Sequence, residues 1–97
     1  MPPSEKKWLE WTALTLDELL TGIEIIAEDN PAAALRVYER IDHAVELLAS
    51  EPNIGRLGRV VLTRELPVSR TPFTLVYRET RNSLQVVHCL HQRRKYP

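Results

Sequence analysis

The chain reads as an α+β domain: an N-terminal strand, an antiparallel two-helix hairpin, then a three-stranded antiparallel meander. Three observations carry that reading. Apolar residues recur at helical spacing from Leu16 to Leu48. After Gly58 the period shortens to that of a strand, and β-branched residues become common. The links between the periodic runs are short, which favours antiparallel neighbours. A helix pair followed by consecutive strands builds α+β, with the helices covering one face of the sheet.

Residues 1–4 (Met-Pro-Pro-Ser) read as a loose end, and Lys7 to Trp11 as a first strand. Thr15 is expected to open the first helix. With Glu18 three residues on it fits a capping box, and Asp17 and Glu18 suit the positive end of the helix dipole. Leu16, Leu19, Leu20, Ile23, Ile26 and Ala27 supply the apolar face. Gly22 inside that helix costs about 1 kcal/mol against alanine; it marks a close approach by another backbone, or nothing. Asn30 then caps, and Pro31 begins, a second helix whose stripe is Leu35, Tyr38, Ile41, Val45 and Leu48. Glu51 to Gly55 is the exit loop. Arg59 to Leu66 is predicted as one strand stopped by Pro67, and Phe73 to Arg78 as the next. Leu84 to His91 is the last, after a tight turn at Arg81-Asn82-Ser83. On that alternation Val60, Leu62, Arg64 and Leu66 share a face, and so do Val87, Cys89 and His91.

Ninety-seven residues make one domain, 1–97, ending in a basic tail at 92–97. A chain of this length buries roughly 60–70% of its unfolded surface. The single cysteine, Cys89, excludes an intrachain disulfide and fits a reducing compartment. No apolar run has the length of a signal peptide or a membrane span, so a soluble cytoplasmic protein with no membrane partner is expected. The formal net charge is +0, but it is unevenly divided. Residues 1–50 hold four cations against ten acids, a net of −6, whereas residues 51–97 hold nine against three, a net of +6. Such a dipolar chain either offers its basic half to an acidic or polyanionic partner, or pairs two solvated faces within one fold.

Four segments, in order and at characteristic spacing, resemble the RelE/ParE superfamily of bacterial toxins from type II toxin–antitoxin modules. They are Ile26-Ala27-Glu28-Asp29-Asn30-Pro31-Ala32-Ala33-Ala34, then Gly55-Arg56 through Thr63-Arg64-Glu65-Leu66, then Leu75-Val76-Tyr77-Arg78. The fourth is His88-Cys89-Leu90-His91 with Arg93, Arg94, Tyr96 and Pro97. The likeness spans about residues 11–97. It implies a small sheet wrapped by the hairpin, and a cognate antitoxin that neutralises the toxin in a hetero-oligomer. Two targets follow from it: RelE-like members cleave mRNA in the ribosomal A site, and ParE-like members poison DNA gyrase without nuclease chemistry.

Metal-free RNA cleavage needs a group to stabilise a dianionic phosphate and a group to move protons. Arginine and histidine suit those tasks. By resemblance Arg64 takes the first role, His91 the second, and Tyr96 stacks a base. Arg78, Arg93, Arg94 and Lys95 would hold the nucleic-acid backbone. Each has a plainer alternative: a snorkelling or ion-paired Arg64, a strand-end His91, a Tyr96 that only packs, and cations that only solvate the tail. One departure weighs against cleavage: where nuclease-active relatives often carry an arginine before Val76-Tyr77, this chain has Thr74. No cofactor is expected. His88, Cys89, His91 and His43 do not form a metal set, because alternation sends His88 away from the other two strand residues. Three functions remain open: an mRNA interferase, a non-enzymatic gyrase inhibitor, and a member that only binds its antitoxin.

Overall fold

The computed structural model describes residues 8–97; the loose end expected at 1–4, and Lys7, lie outside the described residues. The elements are β1 (Trp8–Trp11), α1 (Ala13–Asp29), α2 (Pro31–Ser50), β2 (Arg56–Leu57), β3 (Arg64–Pro67), β4 (Phe73–Glu79) and β5 (Ser83–His91). They form one five-stranded sheet in the order β1-β5-β4-β3-β2. The expected meander is β3-β4-β5. β1 joins it parallel to β5, and β2 adds a short antiparallel edge.

The first helix is capped three residues earlier than the capping pattern suggests. Thr12 is the cap, and its hydroxyl oxygen accepts from the Thr15 amide at 3.1 Å. Thr15 is instead fully buried, and its hydroxyl donates to the Val86 carbonyl at 2.8 Å. The cause is tertiary. Parallel pairing carries β1 straight into α1 along the edge of β5, so Thr15 meets a strand carbonyl that needs a donor. The second cap is the expected one: Asn30 Oδ1 accepts from the Ala33 amide at 3.0 Å, and Pro31 is the first helical residue.

The buried stripe of α2 is Ala34, Val37, Ile41, Val45 and Leu48, whereas Leu35 and Tyr38 are exposed. Ile41, Val45 and Leu48 of the expected stripe are buried, but in the first turns of α2 packing against the sheet takes Ala34 and Val37 in place of Leu35 and Tyr38. Leu19 of α1 joins these residues over Phe73, Leu75 and Tyr77 of β4 and Leu84, Val86 and Cys89 of β5. Each fully buried aliphatic side chain contributes about 1.5–3 kcal/mol of transfer free energy. Gly22 does mark a close approach, but by a ring: an added Cβ would sit 2.5 Å from Phe73 Cζ.

Two expectations about strands need correction. Arg59 to Leu66 is not one strand: 58–63 is a turn, and Leu62 has a left-handed φ of 67°. Val60 and Leu62 therefore share no row with Arg64. Gly58 causes the break, since its amide donates to the Thr63 carbonyl at 2.8 Å and closes the turn. Alternation in β5 is also interrupted. Val76 pairs with His88 and Tyr77 with Val86, so Val87 is an extra, bulged residue. The bulge puts Val86 on the same, helix-covered face as Cys89.

The exit loop of α2 is pinned from inside. The buried Tyr77 hydroxyl donates to the Pro52 carbonyl and accepts from the Gly55 amide, both at 2.8 Å. Burial raises the Tyr77 pKa, so it stays a neutral phenol. Replacing Tyr77 with Phe leaves both backbone groups unpaired. It is expected to lower stability by about 1–3 kcal/mol, read as a lower urea midpoint at unchanged m-value. An unchanged midpoint would show that the hydroxyl pins nothing.

Candidate functional site

Cross-strand pairing fixes which residues meet on each face. Arg64 is paired with Tyr77, and His91 with Phe73, so both belong to the rows that face the helices. Glu65, Val76 and His88 form a row on the opposite face. The tail closes over that opposite face. Gln92 donates its amide to Pro72 at 2.7 Å, and Arg94 donates its amide to the His91 carbonyl at 2.9 Å. The chain then returns so that the Tyr96 ring meets His88 edge-on, with centroids 5.3 Å apart. Arg59 lies 5.0 Å over the Tyr96 ring and donates to the Tyr96 carbonyl.

Two buried carboxylates organise this face. Glu65 is 1% exposed and takes Arg59 Nε at 3.1 Å, the Arg59 amide at 2.9 Å and Arg56 at 3.3 Å. The Arg59 hydrogen bonds outweigh burial and hold the Glu65 pKa down at about 2; they raise that of Arg59. Glu18 sits just past the end of β1, where the β5 edge has no strand beside it. It accepts from the Cys89 amide at 3.1 Å, contacts His88 Nδ1 at 3.2 Å and pairs with Arg94. Burial, then the charge of Glu65, raises the Tyr96 pKa, which keeps the phenol neutral near pH 7. Burial pushes the Cys89 thiol up to about 12, which excludes a reactive thiolate.

The three residues expected to cleave RNA do not converge. Arg64 donates to the Gly55 carbonyl at 2.8 Å and braces the exit loop. His91 packs edge-on against Phe73 at 5.6 Å, and its Nδ1 accepts from the Arg93 amide. Their β4 partners are four residues apart, about 13 Å along the strand. Tyr96 is on the other face. Of the expected backbone-binding cations, Arg94 is paired with Glu18, and Arg78 Nε donates to Gln85 at 2.7 Å; Gln85 in turn donates to Glu10. Arg78, Arg94, Lys95, His88 and Tyr96 together line a pocket of about 510 Å³ on the tail-covered face. Arg93 is exposed. Among the described residues no group of three His, Cys, Asp or Glu could hold a metal.

Sequence reasoning missed Glu18, His88, Arg59 and Glu65 as a site. Glu65 left one trace, an acid inside an apolar run. The Glu18–His88 contact spans 70 residues and left none.

A second surface lies between α2 and the β3 exit. This groove of about 610 Å³ is lined by the apolar Ala44, Leu47, Leu66 and Val68 and by three arginines, Arg36, Arg40 and Arg70, with Glu39 as its one acid.

Comparison with known proteins places these surfaces in context. Residues 9–96 match the family model described as the ParE toxin of the type II toxin–antitoxin system parDE. The curated protein named "Putative toxin Y4kP" of Sinorhizobium fredii is 36% identical over 92 residues, covering 95% of each chain. A solved structure, the chromosomal ParDE TA system from P. aeruginosa, superposes with a TM-score of 0.83 at 24% identity. It covers 91% of this chain and 98% of that one. At that identity the superposition speaks to the fold.

The depressed pKa of Glu65 makes stability depend on pH. Ionised Glu65 stabilises the fold above its unfolded pKa, near 4.5, and that contribution is lost as pH falls toward about 2. Glu65→Gln is expected to lose on the order of 2–3 kcal/mol at pH 7 and to flatten the stability profile between those pH values. Thermal melts of both chains from pH 7 to pH 2 measure this; parallel profiles would refute it.

Proposed function

Because the chain belongs to the ParE toxin family of type II toxin–antitoxin systems, we propose that it arrests growth by binding DNA gyrase, without catalysing a reaction. A cognate antitoxin holds it inactive. The observation that carries this reading is the dispersal of Arg64, His91 and Tyr96 over two faces and both ends of the sheet. Arg64 is engaged with the Gly55 carbonyl, and Thr74 stands where nuclease-active relatives often carry an arginine. Phosphate cleavage demands groups held around one reacting centre. One observation supports the competing nuclease reading: His88, with Nδ1 on Glu18, lines a pocket with Arg94 and Tyr96.

The α2–β3 groove suits the antitoxin. Its apolar lining and the excess of Arg36, Arg40 and Arg70 over Glu39 suit an amphipathic segment with acidic flanks. Exposed Leu14, Leu20, Ile25 and Leu35 on the hairpin extend the apolar surface such a segment could cover. No helix among the described residues is long and apolar enough to cross a membrane, and gyrase as target puts the protein in the cytoplasm.

Two assays separate the mechanisms. The purified chain is expected to inhibit gyrase supercoiling and to leave mRNA intact in primer extension on a purified translation system. New 5′ ends phased to the A-site codon, absent without ribosomes, would overturn the proposal. For the antitoxin, Leu47→Glu places a charge in the groove lining at a side chain already 38% exposed, so folding is spared. It is expected to weaken binding of the antitoxin encoded by the neighbouring reading frame by tenfold or more, about 1.4 kcal/mol. Toxicity then persists despite coexpression. Undiminished rescue would remove the groove from the interface.

A further inference from the structure

The β2–β3 turn projects an apolar tip that the toxin assignment does not use. Val61 is 82% exposed and Leu62 is 88% exposed. Leu62 keeps a left-handed φ of 67°, a conformation that a bulky side chain adopts only under strain. The turn is nevertheless firmly built. The Thr63 amide and hydroxyl both donate to the Val60 carbonyl, at 3.2 Å and 2.6 Å. A strained turn, closed by these hydrogen bonds and holding two aliphatic side chains in water, is a presentation device rather than a slack loop.

The cleft beneath the tip carries Arg64, Arg78 and Glu79, and it is continuous with a basic pocket. Val60 and Thr63 line both the cleft beneath the tip and the pocket that holds Arg78, Lys95 and Tyr96. Two of the acids on this face, Glu65 and Glu18, lie under the cations, whereas Glu10 is exposed at the sheet edge beside Gln85. The Glu65 side chain is 1% exposed against 63% for Arg56 and 49% for Arg59, and Glu18 is 7% exposed against 49% for Arg94. The carboxylates hold the guanidinium groups at fixed positions and leave their outer edges to solvent. Rigidly held arginines are suited to phosphate oxygens, since little rotamer freedom is lost on contact. An apolar wedge beside Arg78 and a pocket holding Arg94 and Lys95 has the chemistry of a surface that grips a nucleic-acid backbone and leans an aliphatic side chain on a base step.

We infer that the β2–β3 tip and the tail-lined pocket beside it form one duplex-DNA-binding surface. Arg78 and Lys95 contact backbone phosphates, and Leu62, supported by Val61, wedges against a base step in the minor groove. Apart from Glu18, the acids of α1 and α2 belong to the helices that cover the opposite face of the sheet, and that asymmetry orients the domain on the polyanion. The inference is independent of gyrase as target, because it is read on DNA alone.

The test is fluorescence anisotropy of the purified full-length chain on a short labelled duplex, with 2-aminopurine beside a central TA step, which unstacks easily. Saturable binding that weakens with salt is expected, together with a rise in 2-aminopurine emission as the step opens. Arg78→Gln and Lys95→Gln should each weaken binding and lower the salt slope by about one. Leu62→Asn tolerates the left-handed backbone; it should keep the salt slope and lose the emission change. Absence of salt-dependent binding by a chain with a native circular dichroism spectrum would overturn the surface. So would wild-type binding by both cation variants. Binding without any emission change would overturn the wedge. Competition by polyglutamate as strong as by duplex, at equal charge, would assign the surface to an acidic protein instead.

Discussion

The structure depends on how the outer edge of β5 is satisfied. β1 covers that edge only from Ser83 to Val86. Beyond it a bare strand edge would expose unpaired backbone groups. The first turns of α1 take over where the strand stops. The Thr12 amide and the Thr15 hydroxyl donate to the Val86 carbonyl, and the Glu18 carboxylate accepts from the Cys89 amide. A helix thus continues the work of a strand, which ties the hairpin to the sheet at a fixed angle and depth. The depth in turn sets which residues begin the buried stripe of α2, Ala34 and Val37 rather than Leu35 and Tyr38.

Glu18 carries that constraint further. Its second set of contacts, to His88 and Arg94, turns the tail back over the face that the helices leave open. Tyr96 then reaches Arg59, and Arg59 reaches Glu65. Two carboxylates contributed by distant parts of the chain therefore set the positions of three arginines and a tyrosine. The desolvation of each acid is offset by several hydrogen bonds, the condition under which a buried charge is tolerated. The arrangement also explains why the residues expected to act together do not. Tyr96 is recruited to one face by Arg59, while Arg64 and His91 are drawn into the helix-covered rows by strand alternation.

The bulge at Val87 shows how one extra residue changes a reading of faces. Strict alternation along β5 would send Val86 and Cys89 to opposite sides. Both are in the core, because two residues of β5 are spent where β4 spends one. The same irregularity turns His88 toward the tail. His88, which belongs to no metal set in the sequence, is the residue that Glu18 and Tyr96 both contact, beside Arg94.

Local chemistry in the sequence was enough to place the helix pair, the Asn30–Pro31 junction and the β3-β4-β5 order. Capping, proline geometry and hydrophobic period act over a few residues and are written in consecutive letters. The dipolar split of charge was equally legible, and the basic half does line the tail-covered face. What local pattern could not decide was anything set by partners distant in sequence: Thr15 as a buried donor rather than a cap, and Leu35 as an exposed residue. The break of the predicted strand at Gly58 and the role of Glu18 belong with them. Those outcomes depend on which backbone groups remain unpaired once the sheet has closed, and only the assembled fold determines that count.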